Sequence, residues 1–455
     1  MRTDLRDRLA DLAQHTPSGS PPPDLWRRGV RRHRVVQTGR VIVAAVLVAL
    51  VGLGGWSWHS SRPVQPADTH GSPHLPDRLY DPSPWLASFN GPPGQLVALL
   101  PADRKSLFQT TAGLVGVTAS TGQYGFLDLP SDAVTATPLD VSPPSLSPDG
   151  RHVAFWTTGS PSGTANTRML GVTITGVGVY DSESGRVEQA PLATVHGLDP
   201  ELLDWADDHT LVVGLDQTSF GDEDPNSCCE GHWEGLATWD IEGTAGPVSL
   251  RSSMPLFVSD PGTSAGGGVL VWPSSGRRVH VIDPVPPGHD QPYGLSASAE
   301  YASLSPDHAR LAVVSNPRRG RLLVGRMPTS RSGGHVPRVR LRPATSAAGF
   351  DRVVAWWDDE HVVVERRIEE KSREAYRLDV VDLSTGRAHV LVRQARTDHQ
   401  LDPTGSELAT GLLSAPVAVA TAPPRPWDRR TLGIVVLVGL ALLGLITWGA
   451  RAGRA

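Results

Sequence analysis

Leu146-Ser147-Pro148-Asp149-Gly150-Arg151-His152-Val153-Ala154-Phe155-Trp156 is a turn feeding a strand. Pro148 presets φ at the second position of a turn, and Gly150 tolerates the left-handed conformation that closes it. Val153–Trp156 is a short apolar run with the aromatic, β-branched bias of a buried strand. The same text recurs. With Pro148 as an anchor five residues before the strand, equivalent positions fall at Gly91, Ala206, Ser264, Pro306, Trp357 and Pro403. Successive separations, starting from Gly91, are 57, 58, 58, 42, 51 and 46 residues.

A period near 50 residues with strand-turn-strand content predicts a β-propeller, since helical solenoids carry helical periodicity in each repeat. A second feature follows most anchors: a strand ending in Asp, a turn, and another strand. It reads Val179-Tyr180-Asp181-Ser182-Glu183-Ser184-Gly185-Arg186 and Val380-Val381-Asp382-Leu383-Ser384-Thr385-Gly386-Arg387, with looser copies ending at Asp128, Asp240 and Asp283. These are expected to be the hairpins joining the outer strands of each blade. The fold class is therefore all-β: a single propeller of about seven blades, with six or eight also open, flanked by two transmembrane helices. The last anchor leaves too little chain for a full blade, so a segment near Arg78–Phe89 is expected to supply it with a strand and leave no open edge.

The Ser-Pro-Asp-Gly turn paired with the Asp-x-x-x-Gly-Arg hairpin resembles the TolB-like and WD-repeat β-propellers over roughly residues 85–425. The resemblance implies the fold. It implies no functional residue, because the shared positions are turn formers and propellers host unrelated activities.

Lys105 and Lys371 are the only lysines among 42 basic residues, and the net charge is −5 over 455 residues. That balance gives no argument for a nucleic-acid partner. The charge is unevenly placed. Residues 1–40 form a basic head with nine Arg against four Asp. Leu5, Leu9 and Leu12 fall at i, i+4 and i+7, the stripe of a short amphipathic helix near Thr3–Gln14 that would order against a cytoplasmic partner. Arg27, Arg28, Arg31, Arg32 and Arg34 follow a Ser/Pro/Gly linker and stand just before an apolar stretch, the position of a juxtamembrane anchor on anionic lipid.

Residues 41–58 carry no charge and end in Trp56 and Trp58, which suit the bilayer interface. A retained helix is expected rather than a cleaved signal peptide, because the head is long for an n-region and no Ala-x-Ala site follows. The arginine excess before it puts the head in the cytoplasm and the propeller outside. Residues 59–84 are a Pro-rich spacer, 85–430 the propeller, 431–449 a second apolar span and 450–455 a cytoplasmic tail. The expected location is the plasma membrane, with two spans and both termini inside.

Cys228 and Cys229 are adjacent and lie in a polar insertion, 217–234. Outside the membrane a vicinal disulfide would form under strain, because neighbouring Cα atoms stand about 3.8 Å apart, below the usual range. A free pair and an intermolecular bond are the alternatives. The insertion's carboxylates match no metal-loop spacing. Gly262-Thr263-Ser264-Ala265-Gly266 satisfies Gly-x-Ser-x-Gly, but a strand and not a helix follows, so it reads as a turn. No catalytic, metal or cofactor-binding residue is singled out, and no cofactor is implied.

The resulting expectation is a membrane-anchored, extracytoplasmic propeller that binds or senses without catalysis, with a protein partner at its face. The head, with its leucine stripe, Asp24-Leu25-Trp26-Arg27-Arg28-Gly29 and following span, resembles actinobacterial membrane proteins associated with extracytoplasmic-function sigma factors. That implies an anti-sigma-like regulator whose head holds a sigma factor, although the head lacks the cysteines of the zinc-binding type. A propeller glycosidase or lyase is the third reading. Carboxylates clustered at the central mouth would favour the enzyme, an apolar or aromatic mouth the binding module. Deleting residues 1–20 should alter the transcriptome if the head is a regulator; an unchanged transcriptome reduces the head to an anchor.

Overall fold

A computed structural model describes Ala10, Asp11, Gln14 and residues 71–425, apart from 107, 136–141, 168–170, 219–231, 244–245, 250–263, 267, 275–276, 284–288, 316–319, 329–335, 369–373 and 396–406. The chain divides into two compact units, Ser61–Pro426 and the pair Met1–Ser60 with Trp427–Ala455. In the second unit Ala10, Asp11 and Gln14 are helical and exposed. Among the described residues no helix is long and apolar enough to cross a membrane. Both expected spans lie outside the described residues, as do Leu5, Leu9, Leu12, Arg27, Arg28, Arg31, Arg32, Arg34, Trp56, Trp58, Cys228 and Cys229.

The described residues of Ser61–Pro426 form β-strands and one 3-10 turn, and most of the strands sort into six blades with antiparallel cores. Blade II is Ser145–Leu146, His152–Thr158, Ile174–Asp181 and Val187–Pro191. Blade III is Leu198–Trp205, Thr210–Gln217, His232–Asp240 and Val248–Ser249. Blade IV is Ser264–Gly266, Val269–Ser274, Arg278–Asp283 and His289–Leu295. Blade V is Tyr301–Leu304, Arg310–Ser315, Arg321–Arg326 and Arg342–Pro343. Blade VI is Phe350–Trp356, His361–Arg367, Glu374–Asp382 and Arg387–Ala395. Blade I is composite. Leu96–Lys105, Thr110–Thr118 and Tyr124–Phe126 come from the start of the ring, and its inner strand, Glu407–Leu408, from the end.

The inner strands touch in sequence from blade I round to blade VI, and the inner strand of VI meets the short 3-10 turn Thr410–Leu412 that follows Glu407–Leu408. An apolar cluster fills each junction. Examples are Leu99 against Phe155 between I and II, Trp156 against Trp205 between II and III, and Leu202 against Trp272 between III and IV. Val271 and Val313 share the IV–V cluster, Val314 and Val364 the V–VI cluster, and Val97 and Val380 the VI–I cluster. Six junctions packed this way make the ring a closed propeller. Inner-strand tryptophans also tie neighbours together. Trp205 Nε1 donates to the Ser145 carbonyl at 3.3 Å, and Trp356 Nε1 to that of Ser303 at 3.1 Å.

Six blades is the low end of the expected count, and closure departs from expectation. Seven anchors map to six blades because Gly91 and Pro403 serve the same blade: Leu408, read as a seventh strand, pairs with Ala98. Closure also runs in the opposite sense. Blade VI already holds four strands, and Arg78–Leu79 adds a fifth, parallel, at its outer edge. The strand that was missing is the inner one of blade I. Leu75–Pro76, inside the stretch read as spacer, pairs with Val417–Ala418, and Asp77 Oδ1 accepts the Ala420 N–H at 2.8 Å. Ser264 lies in a strand rather than in the turn position assigned to it. The outer hairpin of blade I is not the copy ending at Asp128. It is at Thr118–Gly122, where Thr118 replaces the expected Asp and its Oγ1 accepts the Gln123 N–H at 3.0 Å.

The recurrent turn owes its shape to side-chain hydrogen bonds. The Ser147 hydroxyl donates to Asp149 Oδ1 at 2.6 Å and accepts the His152 N–H at 2.9 Å, while Asp149 Oδ1 accepts the Arg151 N–H at 3.0 Å. Ser305 and Asp307 repeat the pattern, with the hydroxyl 2.6 Å from the carboxylate. Asp382 caps the outer hairpin of blade VI by accepting from the Ser384 and Thr385 hydroxyls, which hold its carboxyl well below the usual range. Gly150 sits at φ +76°, and an added Cβ would run into the Leu96 carbonyl oxygen of blade I. Gly122 has a similar φ of +66° but open space around it. Gly122→Ala should therefore cost about 1 kcal/mol from backbone strain alone. Gly150→Ala should cost about 3 kcal/mol or more. Denaturant unfolding of the two variants checks the order.

Candidate functional site

Charged groups on several blades influence one another electrostatically. On blade VI, Arg352 in Phe350–Trp356 donates from Nε to Glu365 Oε2 at 3.0 Å, and Glu365 is buried. Two register shifts in the Phe350–Trp356 ladder, one beside Arg352, re-aim side chains there. The Glu365 carboxylate raises the Arg352 pKa above its already high value, outweighing desolvation. This is a charge-assisted pair with a buried carboxylate and a partly exposed guanidinium.

Glu407, on the closing strand of blade I, retains some contact with water but is crowded by protein. Burial pushes its carboxyl up to about 8. Arg352 opposes the rise, while Asp204 of blade III and Glu365 of blade VI add to it. Tyr301, from the inner strand of blade V, also has a raised pKa, chiefly from desolvation, and feels Arg352 and Glu365 in opposite senses. Four blades thus contribute to one electrostatic neighbourhood. A second raised carboxyl is Glu201, on the inner strand of blade III. It falls at a β-bulge between Pro200 and Leu202, and burial, with repulsion from Asp199 and Asp216, pushes it up to about 7.

None of these residues was singled out from sequence, and the residues that were lie elsewhere. Ser264 of the Gly-x-Ser-x-Gly text is in a strand, with a turn at Gly268 and a second strand after it, so the backbone is not that of a nucleophile elbow. One signal was available: Glu365 interrupts the run Val362-Val363-Val364, where period-2 alternation points it to a buried face. Among the described residues, no group of three or more His, Cys, Asp or Glu is placed to hold a metal ion. The central groups are neither apolar nor purely acidic; they are carboxyls balanced by one arginine.

No protein-family model matches the chain, and no curated protein matches it. Among solved structures, it is similar to TolB from Acinetobacter baumannii, at 12% identity over 69% of this chain and 66% of that one, with a TM-score of 0.35. A chain of the mitotic checkpoint complex aligns at 15% identity over 56% of this chain and 65% of its own length, with a TM-score of 0.31. The β-propeller domain of Myceliophteria thermophila Cps50 (Swd1) aligns at 15% over 64% and 89%, with a TM-score of 0.32. The chain thus spans just under two thirds of the length of the first two. At these scores the assignment of fold rests on the strand pairing and the six junctions.

Glu407 gives the site a pH signature. Its folded pKa lies above the unfolded value near 4.5. The native state therefore keeps a proton that the unfolded chain has lost, and stability falls as pH rises from about 4.5 to about 8. Glu407→Gln removes that loss. Against wild type, the variant should gain about 2–4 kcal/mol of relative stability between pH 5 and pH 8. Parallel unfolding curves across that range measure it.

Proposed function

We propose that the chain is a membrane-anchored, extracytoplasmic β-propeller that acts as a non-catalytic binding or sensing module. One observation supports the binding part: Arg352 of blade VI influences both Glu407 of blade I and Tyr301 of blade V, and Asp204 of blade III influences Glu407, so charged groups of four blades act on one another. A ligand seated among them would touch several blades at once, and convergent polar groups on a rigid scaffold are what orientation-specific binding needs. The sensing part draws support from Leu75–Pro76 pairing with Val417–Ala418, because the stretches leading to both expected spans are then stitched to the same ring. The anchoring and orientation draw support from the two uncharged stretches and the arginine excess before the first.

A second reading, a propeller enzyme, is favoured by the two carboxyls that titrate near neutrality, Glu407 and Glu201, since a general acid needs a pKa close to the working pH. The two readings separate cleanly. Capture of a partner from solubilised membranes by the full chain, lost in Tyr301→Phe and Glu407→Gln without loss of folding, is the result expected of a binding module. Turnover of a glycoside or uronide panel by wild type and not by Glu407→Gln would replace that reading with the enzyme. A reporter fused near Gly243 should be active only outside the cytoplasm; activity confined to the inner side sinks the orientation.

A further inference from the structure

A cavity of about 430 Å³ opens at the junction of blades V and VI, lined by groups that take no part in the central cluster. Its chemistry is cationic. Arg366 and Arg377 are direct cross-strand partners, an arrangement that like charges ordinarily make unfavourable. Asp379, 1% exposed, sits between them: Arg366 Nε is 3.1 Å from Oδ2, and Arg377 Nε is 3.0 Å from Oδ1. Both Nε–H groups and Asp379 Oδ1 are buried without a hydrogen bond, while Arg377 Nη2 donates to Asp379 Oδ2 at 3.3 Å. The Arg366 guanidinium lies 4.5 Å over the Phe350 ring, which fixes its plane. Arg387, exposed at the start of the outer strand, lines the same cavity, and Ser346 contributes a hydroxyl from the segment leaving blade V.

Three guanidinium groups therefore face one carboxylate among the described lining residues. The lining therefore carries a net charge of +2, from the partly buried Arg366 and Arg377, which share Asp379, and from solvent-exposed Arg387. We propose that this cavity binds a phosphomonoester of sugar-phosphate or nucleotide size. A monoester carries close to two negative charges at neutral pH, matching the excess, whereas a diester carries one. Guanidinium forks and a hydroxyl donor suit its oxygens. The volume falls in the range of small-molecule sites and exceeds what one oxyanion fills, leaving room for the group it is attached to. The site stands apart from the central residues and holds or fails independently of them.

The test titrates the full-length chain, in phosphate-free low-salt buffer, with ribose 5-phosphate, inorganic phosphate, dimethyl phosphate and succinate, read by calorimetry. The expected result is saturable one-to-one binding of ribose 5-phosphate, with inorganic phosphate weaker and dimethyl phosphate weaker still. Arg387→Ala, at an exposed position, should lower the affinity tenfold or more, a loss of about 1.4 kcal/mol, at an unchanged melting temperature. Arg387→Lys should restore part of it. No saturable binding of ribose 5-phosphate, equal binding of dimethyl phosphate, succinate binding as tightly, or an Arg387→Ala variant that binds like wild type would each overturn the assignment.

Discussion

Glu407 and Leu408 lie antiparallel to Leu99 and Ala98, and this two-residue ladder turns a row of blades into a ring. Without it, blade I presents an unpaired inner edge and the VI–I junction has no reason to pack. The ladder joins residues roughly 300 positions apart, and loop-closure entropy grows only as the logarithm of that length, about 5 kcal/mol at (3/2)RT ln n. The junction it brings together includes Leu75, Val97, Val115, Val363, Val380 and Leu413, all fully buried. A buried side chain of this kind contributes about 1.5–3 kcal/mol, so a handful of them offsets the closure term. The outer strand Arg78–Leu79 and the Leu75–Val417 pairing act on the same junction, so the ring is fastened from both ends of the chain.

The sequence showed the fold where turn chemistry is local and failed where pairing is distant. Ser147-Pro148-Asp149-Gly150 and Asp181 through Gly185 hold their own backbone with their own side chains, so a few residues suffice to read them. Closure has no such signature, because Glu407–Leu408 is a strand only by virtue of Leu99 and Ala98. The seven anchors therefore exceed the six blades by one, because the two ends of one blade each carry an anchor. Thr118 shows a subtler limit, since a threonine hydroxyl can do a capping aspartate's work while hiding the pattern. The central cluster was hardest to see, because it is assembled from single residues on blades I, III, V and VI that are ordinary surface types one at a time.

Blade VI shows how one strand serves two neighbourhoods. In His361–Arg367 the side chains alternate faces. Val363 packs in the VI–I cluster, while Val362 and Val364 pack in the V–VI cluster. The next two residues continue the alternation with charges. Glu365 follows Val363 to the side where Arg352 and Glu407 lie, and Arg366 follows Val364 to the side of Phe350 and Asp379. A single two-residue step thus feeds the central cluster on one face and the arginine-lined cavity on the other.

Stability does not account for charges in those positions. Well-packed apolar residues of similar volume commonly match or exceed a buried ion pair, because desolvation consumes most of the Coulombic gain. The valines just upstream show that this strand packs well with apolar side chains, fully buried at Val362, Val363 and Val364. Glu365, buried, and Arg366, partly exposed, follow directly on that apolar run. What they add is fixed, directional polarity on a packed scaffold, which is what the proposed binding role would use. The two faces of blade VI thus carry both apolar packing, through Val362, Val363 and Val364, and the charged groups on which the two proposals rest.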